Sequence, residues 1–213
     1  MLGLLFAATT GAGAAAVPTG DQTAVSLPAS HALRNGLVFG FSLGAGFGRG
    51  SGYPNDNSKI GDPSYYSSSG WMGGTGESLF VLGALTDSLS FGFFYQGAVY
   101  RSADFRSSGA GGGLRVEAFP LVGVAPRFAG LGVLAEFGIG TASLDSTKDP
   151  SAPQAGGTQS FGGVGAFYEW SFGHLFGGHF AVGPSVEYDA IWTQPFDRNG
   201  LLASLRIAFY GGP

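Results

Sequence analysis

Residues 37–47 read Leu-Val-Phe-Gly-Phe-Ser-Leu-Gly-Ala-Gly-Phe, and this stretch decides the fold class. Its odd positions carry bulky apolar side chains or alanine, whereas the even positions after Val38 are glycine or serine. A period of two predicts a β-strand, because successive side chains of an extended chain point to opposite faces. The alternation returns along the chain as far as Phe209. The sequence therefore predicts an all-β protein.

The second face of the predicted strands collects charged residues. All five glutamates of the chain lie inside predicted strands, although turns are available to them. Apolar side chains facing outward and polar ones facing inward are typical of a barrel strand surrounded by lipid. We therefore predict a charge network that fills the barrel interior and is made of Arg115, Glu117, Glu136, Glu169, Glu187, Asp189, Arg206 and Glu77.

The composition narrows the class of protein. Only 11% of the 213 residues are charged, against about 25% in soluble proteins, and 40 are glycine. The net charge of −4 and the lack of a Lys/Arg stripe argue against a nucleic-acid partner. The absence of cysteine excludes a disulfide scaffold and favours an oxidising compartment.

The first residues resemble an export signal. An apolar run from Leu2 to Thr10 precedes Ala14-Ala15-Ala16, which forms an A-x-A cleavage site before Val17. We interpret residues 1–16 as a signal peptide truncated at its start, because no Lys or Arg precedes Arg34. The alternative is a short hydrophobic strand or a buried N-terminal segment. Residues 17–35 are predicted to be a flexible periplasmic lead-in, and residues 36–213 the barrel.

Turn and loop signals divide the barrel region into eight strands. They are predicted at residues 36–49, 71–85, 89–101, 112–119, 128–144, 160–172, 180–192 and 201–210. Short turns alternate with longer connections, as in outer-membrane barrels with short periplasmic turns. The fold class predicted is an eight-stranded antiparallel up-and-down transmembrane β-barrel with periplasmic termini and external loops near 51–69, 102–111, 145–159 and 193–200.

Aromatic residues gather near the predicted strand ends, where they would form girdles at the two membrane interfaces. The predicted external girdle contains Phe47, Trp71, Tyr100, Phe161 and Trp192. The predicted periplasmic girdle contains Tyr168, Trp170, Phe172, Phe180, Phe209 and Tyr210.

Residues 36–210 resemble the small eight-stranded outer-membrane barrels of the OmpA/OmpX type. The resemblance lies in the pattern, the strand count and the last strand, residues 205–210, which reads Leu-Arg-Ile-Ala-Phe-Tyr. It implies this fold and a location in the outer membrane of a Gram-negative cell envelope. We expect a monomeric, porin-like protein. Its partners would be outer-membrane lipid and the barrel-assembly machinery. The resemblance implies no single activity.

Candidate chemistry is sparse. The histidines, His31, His174 and His179, are predicted to lie away from any external pocket, so we expect no catalytic, cofactor-binding or metal site. The glycine clusters at 44–48 and 73–76 lack the GK[ST] ending of a phosphate loop. We expect a non-enzymatic protein with a structural, adhesive or surface-recognition role. The sequence does not identify its external ligand. A narrow pore and a soluble, lipocalin-like ligand-binding barrel are the alternatives.

Overall fold

The computed structural model describes residues 34, 36–149, 152, 154–175 and 177–211. The predicted signal peptide and most of the predicted lead-in lie outside the described residues.

The chain forms a closed antiparallel barrel of eight strand positions, as predicted. Both β1 and β9 pair with β10, which closes the sheet on itself. Both β7 and β8 pair with β9 and share one position, interrupted at Glu169, while the short β2 pairs with the end of β1. The strands are β1 Leu37–Gly52, β2 Ser67–Ser68, β3 Met72–Thr86, β4 Leu89–Arg101, β5 Phe105–Ala118, β6 Leu131–Ser146, β7 Ala155–Tyr168, β8 Trp170–Leu175, β9 Gly178–Trp192 and β10 Phe196–Gly211.

The strand register sets the width of the barrel. A row of paired residues that starts at Phe41 and passes once around the barrel returns to β1 at Ser51, ten residues further on. Eight strands with this stagger are tilted by about 41° and enclose a backbone cylinder of about 8 Å radius. A barrel this narrow is filled by side chains. No helix in the described part of the chain has the length and apolarity needed to cross a membrane.

The two faces of the strands follow the predicted alternation. On β1, Phe39 and Leu43 point outward and are 47% and 57% exposed, whereas Val38 and Ser42 point inward and are buried. The residues of β4, β6 and β9 alternate in the same way. The barrel therefore has an apolar outer face and a mixed, densely filled lumen.

Three of the predicted external loops are shorter than predicted, because β5 starts at Phe105, β7 at Ala155 and β10 at Phe196. Glycines and serines made residues 102–111 look like a loop. In the structure a Cβ on Gly109 would lie 2.9 Å from Arg198 Nη1, and one on Gly111 would lie 2.5 Å from the Phe161 ring. These glycines make room for large inner side chains.

We call the end of the barrel near Leu37 and Gly211 the terminal end, and the opposite end the loop end. At the loop end, residues 53–66 reach from β1 towards β7. The Tyr53 N–H donates to the Pro195 carbonyl at 2.6 Å, and a Cβ on Gly157 would lie 3.2 Å from the Asn55 side chain. Within this loop, hydrogen bonds from the Ser64 N–H and hydroxyl hold the pKa of Asp62 below its ordinary value of 3.8. The loop is thus ordered by its own polar contacts and lies over the mouth.

Candidate functional site

Seven of the residues predicted to face inward are buried in the lumen. Their exposed fraction is at most 6%, and they come from β5, β6, β9, β10 and the break between β7 and β8. Five of them form what we call the lower cluster: Arg115, Glu117, Glu136, Glu169 and Arg206.

Arg206 is the centre of the lower cluster. Its Nη1 and Nη2 donate to the two carboxylate oxygens of Glu117 at 2.7 and 2.8 Å. Its Nε donates to Glu169 Oε1 at 2.6 Å. The second guanidinium, that of Arg115, donates from Nε to Glu117 at 2.8 Å and from Nη1 to Glu136 at 2.8 Å. Glu117 therefore bridges two arginines, a geometry suited to the planar guanidinium fork.

Aromatic rings enclose these guanidiniums. The Arg206 guanidinium lies 4.1 Å from the centre of the Phe80 ring and 4.2 Å from that of Phe167. Phe80 also lies 4.5 Å from the Arg115 guanidinium. Contact with ring faces stabilises a cation that has little access to water. Packed rings and paired charges therefore fill this part of the lumen.

Tyr210 does not belong to the periplasmic girdle, which corrects the sequence prediction. It follows outward-facing Phe209, so the period of two turns it inward, where it is 1% exposed. Its hydroxyl donates to Glu169 Oε2 at 2.6 Å. Tyr100 and Phe161, predicted for the external girdle, also face the lumen and are buried.

Sequence reasoning missed Arg198, because its polar neighbours suggested a loop. Its Nη1 donates to Asp189 Oδ2 at 3.2 Å, and its Nη2 donates to the Ala98 carbonyl at 3.1 Å. The guanidinium lies 4.9 Å from the centre of the Tyr100 ring. The available signal was that Arg198 and inward-facing Arg206 lie an even number of positions apart, which places both side chains on the same face of β10. Three guanidiniums, and not two, therefore serve the five lumenal carboxylates.

Glu187 is the least paired of these carboxylates. Its only ion-pair contact among the described residues is with Arg115 Nη1 at 3.9 Å, and its Oε1 has no hydrogen-bond partner there. Asp189 Oδ1 and Gln96 Oε1 are likewise buried without such a partner in the described part of the chain. Buried polar atoms of this kind are normally satisfied by water. Across the described residues, no three Asp, Glu or His side chains converge as a metal site would require.

Arg34 closes the terminal end of the lumen. Its guanidinium lies 3.5 Å from the centre of the Phe119 ring and donates to the Ala129 carbonyl at 3.0 Å. Close by, His179 is 5% exposed and stacks on Tyr210 with ring centres 5.0 Å apart. His31 and the side chain of His174 lie outside what the structure describes.

Glu77 lies on the outer face, which corrects its predicted inward orientation. It pairs with outward Leu43 and is exposed, while its neighbours Ser78 and Phe80 are buried in the lumen. The glycines at 73, 74 and 76 hid this alternation, because they fit either face. Among the described residues, the Glu77 carboxylate has no ion-pair partner.

The other predicted girdle residues lie near the strand ends on the outer face. Phe47, Trp71, Trp170, Phe172 and Trp192 are between 44% and 62% exposed. Phe180, Phe209 and Tyr168 are partly exposed, and the Tyr168 hydroxyl donates to the Arg127 carbonyl at 2.9 Å.

No family model and no curated protein sequence matches the chain. Similar solved structures of low identity include the following three. Neisserial surface protein A is 12% identical over 79% of this chain and 96% of that chain, with a TM-score of 0.42. Ail of Yersinia pestis is 12% identical over 82% and 99%, with a TM-score of 0.37. The N-terminal β-barrel domain of Pseudomonas aeruginosa OprF is 11% identical over 82% and 97%, with a TM-score of 0.41. The fold assignment rests on the chain's own strand pairing.

Proposed function

We propose that this chain is an outer-membrane β-barrel of a Gram-negative envelope that acts without catalysis. Its role would be structural, adhesive or recognitive, carried by the loop end. The observation that carries the proposal is the band of large apolar side chains on the outer face. Phe93, Phe137 and Ile139 are 66%, 65% and 72% exposed, and comparable residues recur on the other strands. Soluble monomers rarely expose contiguous apolar surface on this scale, whereas lipid makes it favourable.

The filled lumen supports recognition over transport. The lower cluster spans the interior, and Arg34 closes the terminal end. A lipocalin-like barrel would need an apolar cavity, but buried charges occupy this lumen. The exposed surfaces left for a partner are the outer wall and the loop end.

The proposal includes an orientation and partners. The longest connection, residues 53–71, lies at the loop end, and long loops of outer-membrane barrels are external. The termini would then be periplasmic. Because β10 pairs with β1, the sheet has no free edge, which supports a monomer. The barrel-assembly machinery and outer-membrane lipid are the partners this location requires.

Trypsin treatment of intact cells tests both membrane location and orientation. Lys59 and Lys148 lie on connections at the loop end, whereas exposed Arg127 lies on the connection at the terminal end. We expect cleavage after Lys59 or Lys148 from outside, and cleavage after Arg127 only in broken cells. Lys59→Gln is the matched control for the first fragment. Recovery of the chain in the soluble fraction, or external cleavage at Arg127, contradicts the proposal.

A narrow pore is the second candidate, favoured by the unpartnered polar atoms of Glu187, Asp189 and Gln96. Such atoms bind water, and the carboxylate excess would favour cations over anions. Single-channel recording in planar bilayers tests this candidate, with Glu187→Gln expected to reduce cation selectivity. The lack of any conductance from the wild type contradicts it.

A further inference from the structure

A small polar pocket lies on the outside of the loop end. It has a volume of about 300 Å³ and lies between β10, β1 and the segment of residues 67–71. We call it the rim pocket; its principal lining residues are Arg49, Ser51, Ser68, Trp71, Asp197 and Asn199. It begins just beyond Phe47, which is 61% exposed on the same face of β1. The rim pocket therefore lies next to the boundary of the apolar band, at the level of lipid headgroups.

The walls of the rim pocket are fixed by backbone pairing. Ser51 of β1 pairs with Asp197 of β10 on one side and with Ser68 of β2 on the other. The Ser69 hydroxyl accepts from the Gly50 N–H at 3.0 Å, and the Ser69 N–H donates to the Gly50 carbonyl at 3.0 Å. These contacts fasten residues 67–71 to β1. A pocket on paired strands needs little ordering when a ligand binds, which favours affinity.

The charged groups of the rim pocket are available for contact with a ligand. Neither the Arg49 guanidinium nor the Asp197 carboxylate has an ion-pair or hydrogen-bond partner in the described part of the chain. The Tyr188 hydroxyl donates to Asn199 Oδ1 at 2.8 Å, so the Asn199 amide group keeps its two N–H donors. The pocket thus offers donors, a carboxylate acceptor and two serine hydroxyls at fixed places.

Trp71 adds a flat apolar surface. It is 62% exposed, and its ring centre lies 5.4 Å from the Arg49 guanidinium. A ligand for this combination needs several groups that both donate and accept hydrogen bonds, together with an apolar face. Sugar rings have this chemistry, since their hydroxyls match carboxylate, amide and guanidinium groups and their C–H face packs on an indole. The Asp197 carboxylate disfavours a simple anion, and the polar walls disfavour an acyl chain.

We propose that the rim pocket binds a saccharide. The source would be the sugar headgroup of an outer-leaflet glycolipid or a glycan of another cell surface. The inference rests on the proposed location in the outer membrane, and it names the ligand class for the proposed recognition role.

Titration of the detergent-refolded full chain, followed by NMR of the tryptophan indole N–H groups, tests the saccharide site. The chain has three tryptophans, Trp71, Trp170 and Trp192, and Trp→Phe variants assign their signals. The probes are rough-type lipopolysaccharide, the core oligosaccharide released from it, and sugar-free phosphatidylglycerol. We expect a saccharide probe to shift the Trp71 signal and to leave that of Trp170, at the other end, unchanged. Asp197→Asn should weaken the apparent affinity about tenfold, as loss of a central contact does.

The controls separate the possible outcomes. Asp87→Asn, in an exposed turn at the terminal end, should bind like the wild type. A shift with free oligosaccharide supports glycan binding, and a shift with intact lipopolysaccharide alone, weakened by Asp197→Asn, supports the glycolipid headgroup. An equal shift with phosphatidylglycerol, equal shifts of all indoles, or no shift overturns the saccharide site. Membrane fractionation of the same protein reports separately on the proposed location.

Discussion

Replacing Arg206 by methionine is the sharpest test of the lumenal network. The guanidinium makes three hydrogen bonds of 2.6–2.8 Å to Glu117 and Glu169, and its side chain is fully buried. Methionine keeps much of the packing against Phe80 and Phe167 but removes the charge. Glu117 retains Arg115, and Glu169 retains the Tyr210 hydroxyl, so neither carboxylate loses every partner.

The expected cost follows from Glu169, which keeps the Tyr210 hydroxyl but loses its ion pair with Arg206. Removing one member of a buried ion pair typically costs about 3–5 kcal/mol, and we expect Arg206→Met to fall in this range. Glu187→Gln should be close to neutral. Its one ion-pair contact is 3.9 Å long, and the lumen carries more carboxylates than guanidiniums, so the amide removes like-charge repulsion.

Urea unfolding in detergent micelles, followed by tryptophan fluorescence, measures both free energies of unfolding. Arg49→Met, which removes an exposed arginine from the outer face, controls for the loss of positive charge as such. Equal stability of Arg206→Met and the wild type would mean that the network is bathed in water. The argument for an occluded lumen would then be wrong, and the pore would become the preferred function.

Three further predictions address the fold, the lipid face and the loop. Unboiled protein in cold SDS should migrate differently from boiled protein, because the closed barrel satisfies its backbone hydrogen bonds internally; identical migration and a helical circular dichroism spectrum would refute the architecture. Phe93→Arg, on the outer face, should cost about 2–4 kcal/mol or block assembly in vesicles. Gln96→Arg should cost less, because Gln96 is buried on the inner face, away from lipid. The opposite ranking would indicate a soluble barrel. The Ser64 N–H signal should titrate with a midpoint below pH 3.8, because the hydrogen bonds from Ser64 lower the pKa of Asp62. The contacts of ionised Asp62 stabilise the loop above pH 3.8 and are lost as the pH falls through the folded-state pKa. Asp62→Asn should abolish this titration, and a midpoint at or above pH 3.8 would contradict the prediction.

The alternation of side chains made most of the fold predictable. Phe39, Phe41 and Leu43 alone define an outer face, and the same period places Arg115 and Glu136 inside the barrel. Glycine is where this reasoning failed, because it carries no side chain to reveal its face. The glycines before Glu77 therefore concealed its outward orientation, and those at 109 and 111 concealed the start of β5.

The partners within the lumen could not be derived from the sequence. The alternation of faces shows that the side chains of Arg206 and Glu117 both point into the barrel. Only the stagger of the strands determines which inner residues lie at the same height along the barrel axis. Arg198 was assigned to a predicted loop, because Asp197, Asn199 and Gly200 have the composition of a turn. The rim pocket depends on the pairing of β2 with β1, which involves two residues and leaves no periodic signal.

The pairing of Arg206 with Glu117 constrains the order of assembly. These residues lie 89 positions apart, on β10 and β5, and Arg206 also needs Glu169, 37 positions away. Contacts between residues so far apart in sequence form slowly, because the conformational entropy of the intervening chain is lost before the contact stabilises the protein. Until β10 arrives, Glu117 and Glu169 lack the guanidinium that joins them, and a half-built barrel in lipid would expose these carboxylates. Insertion and closure should therefore be one cooperative event, completed by the last strand.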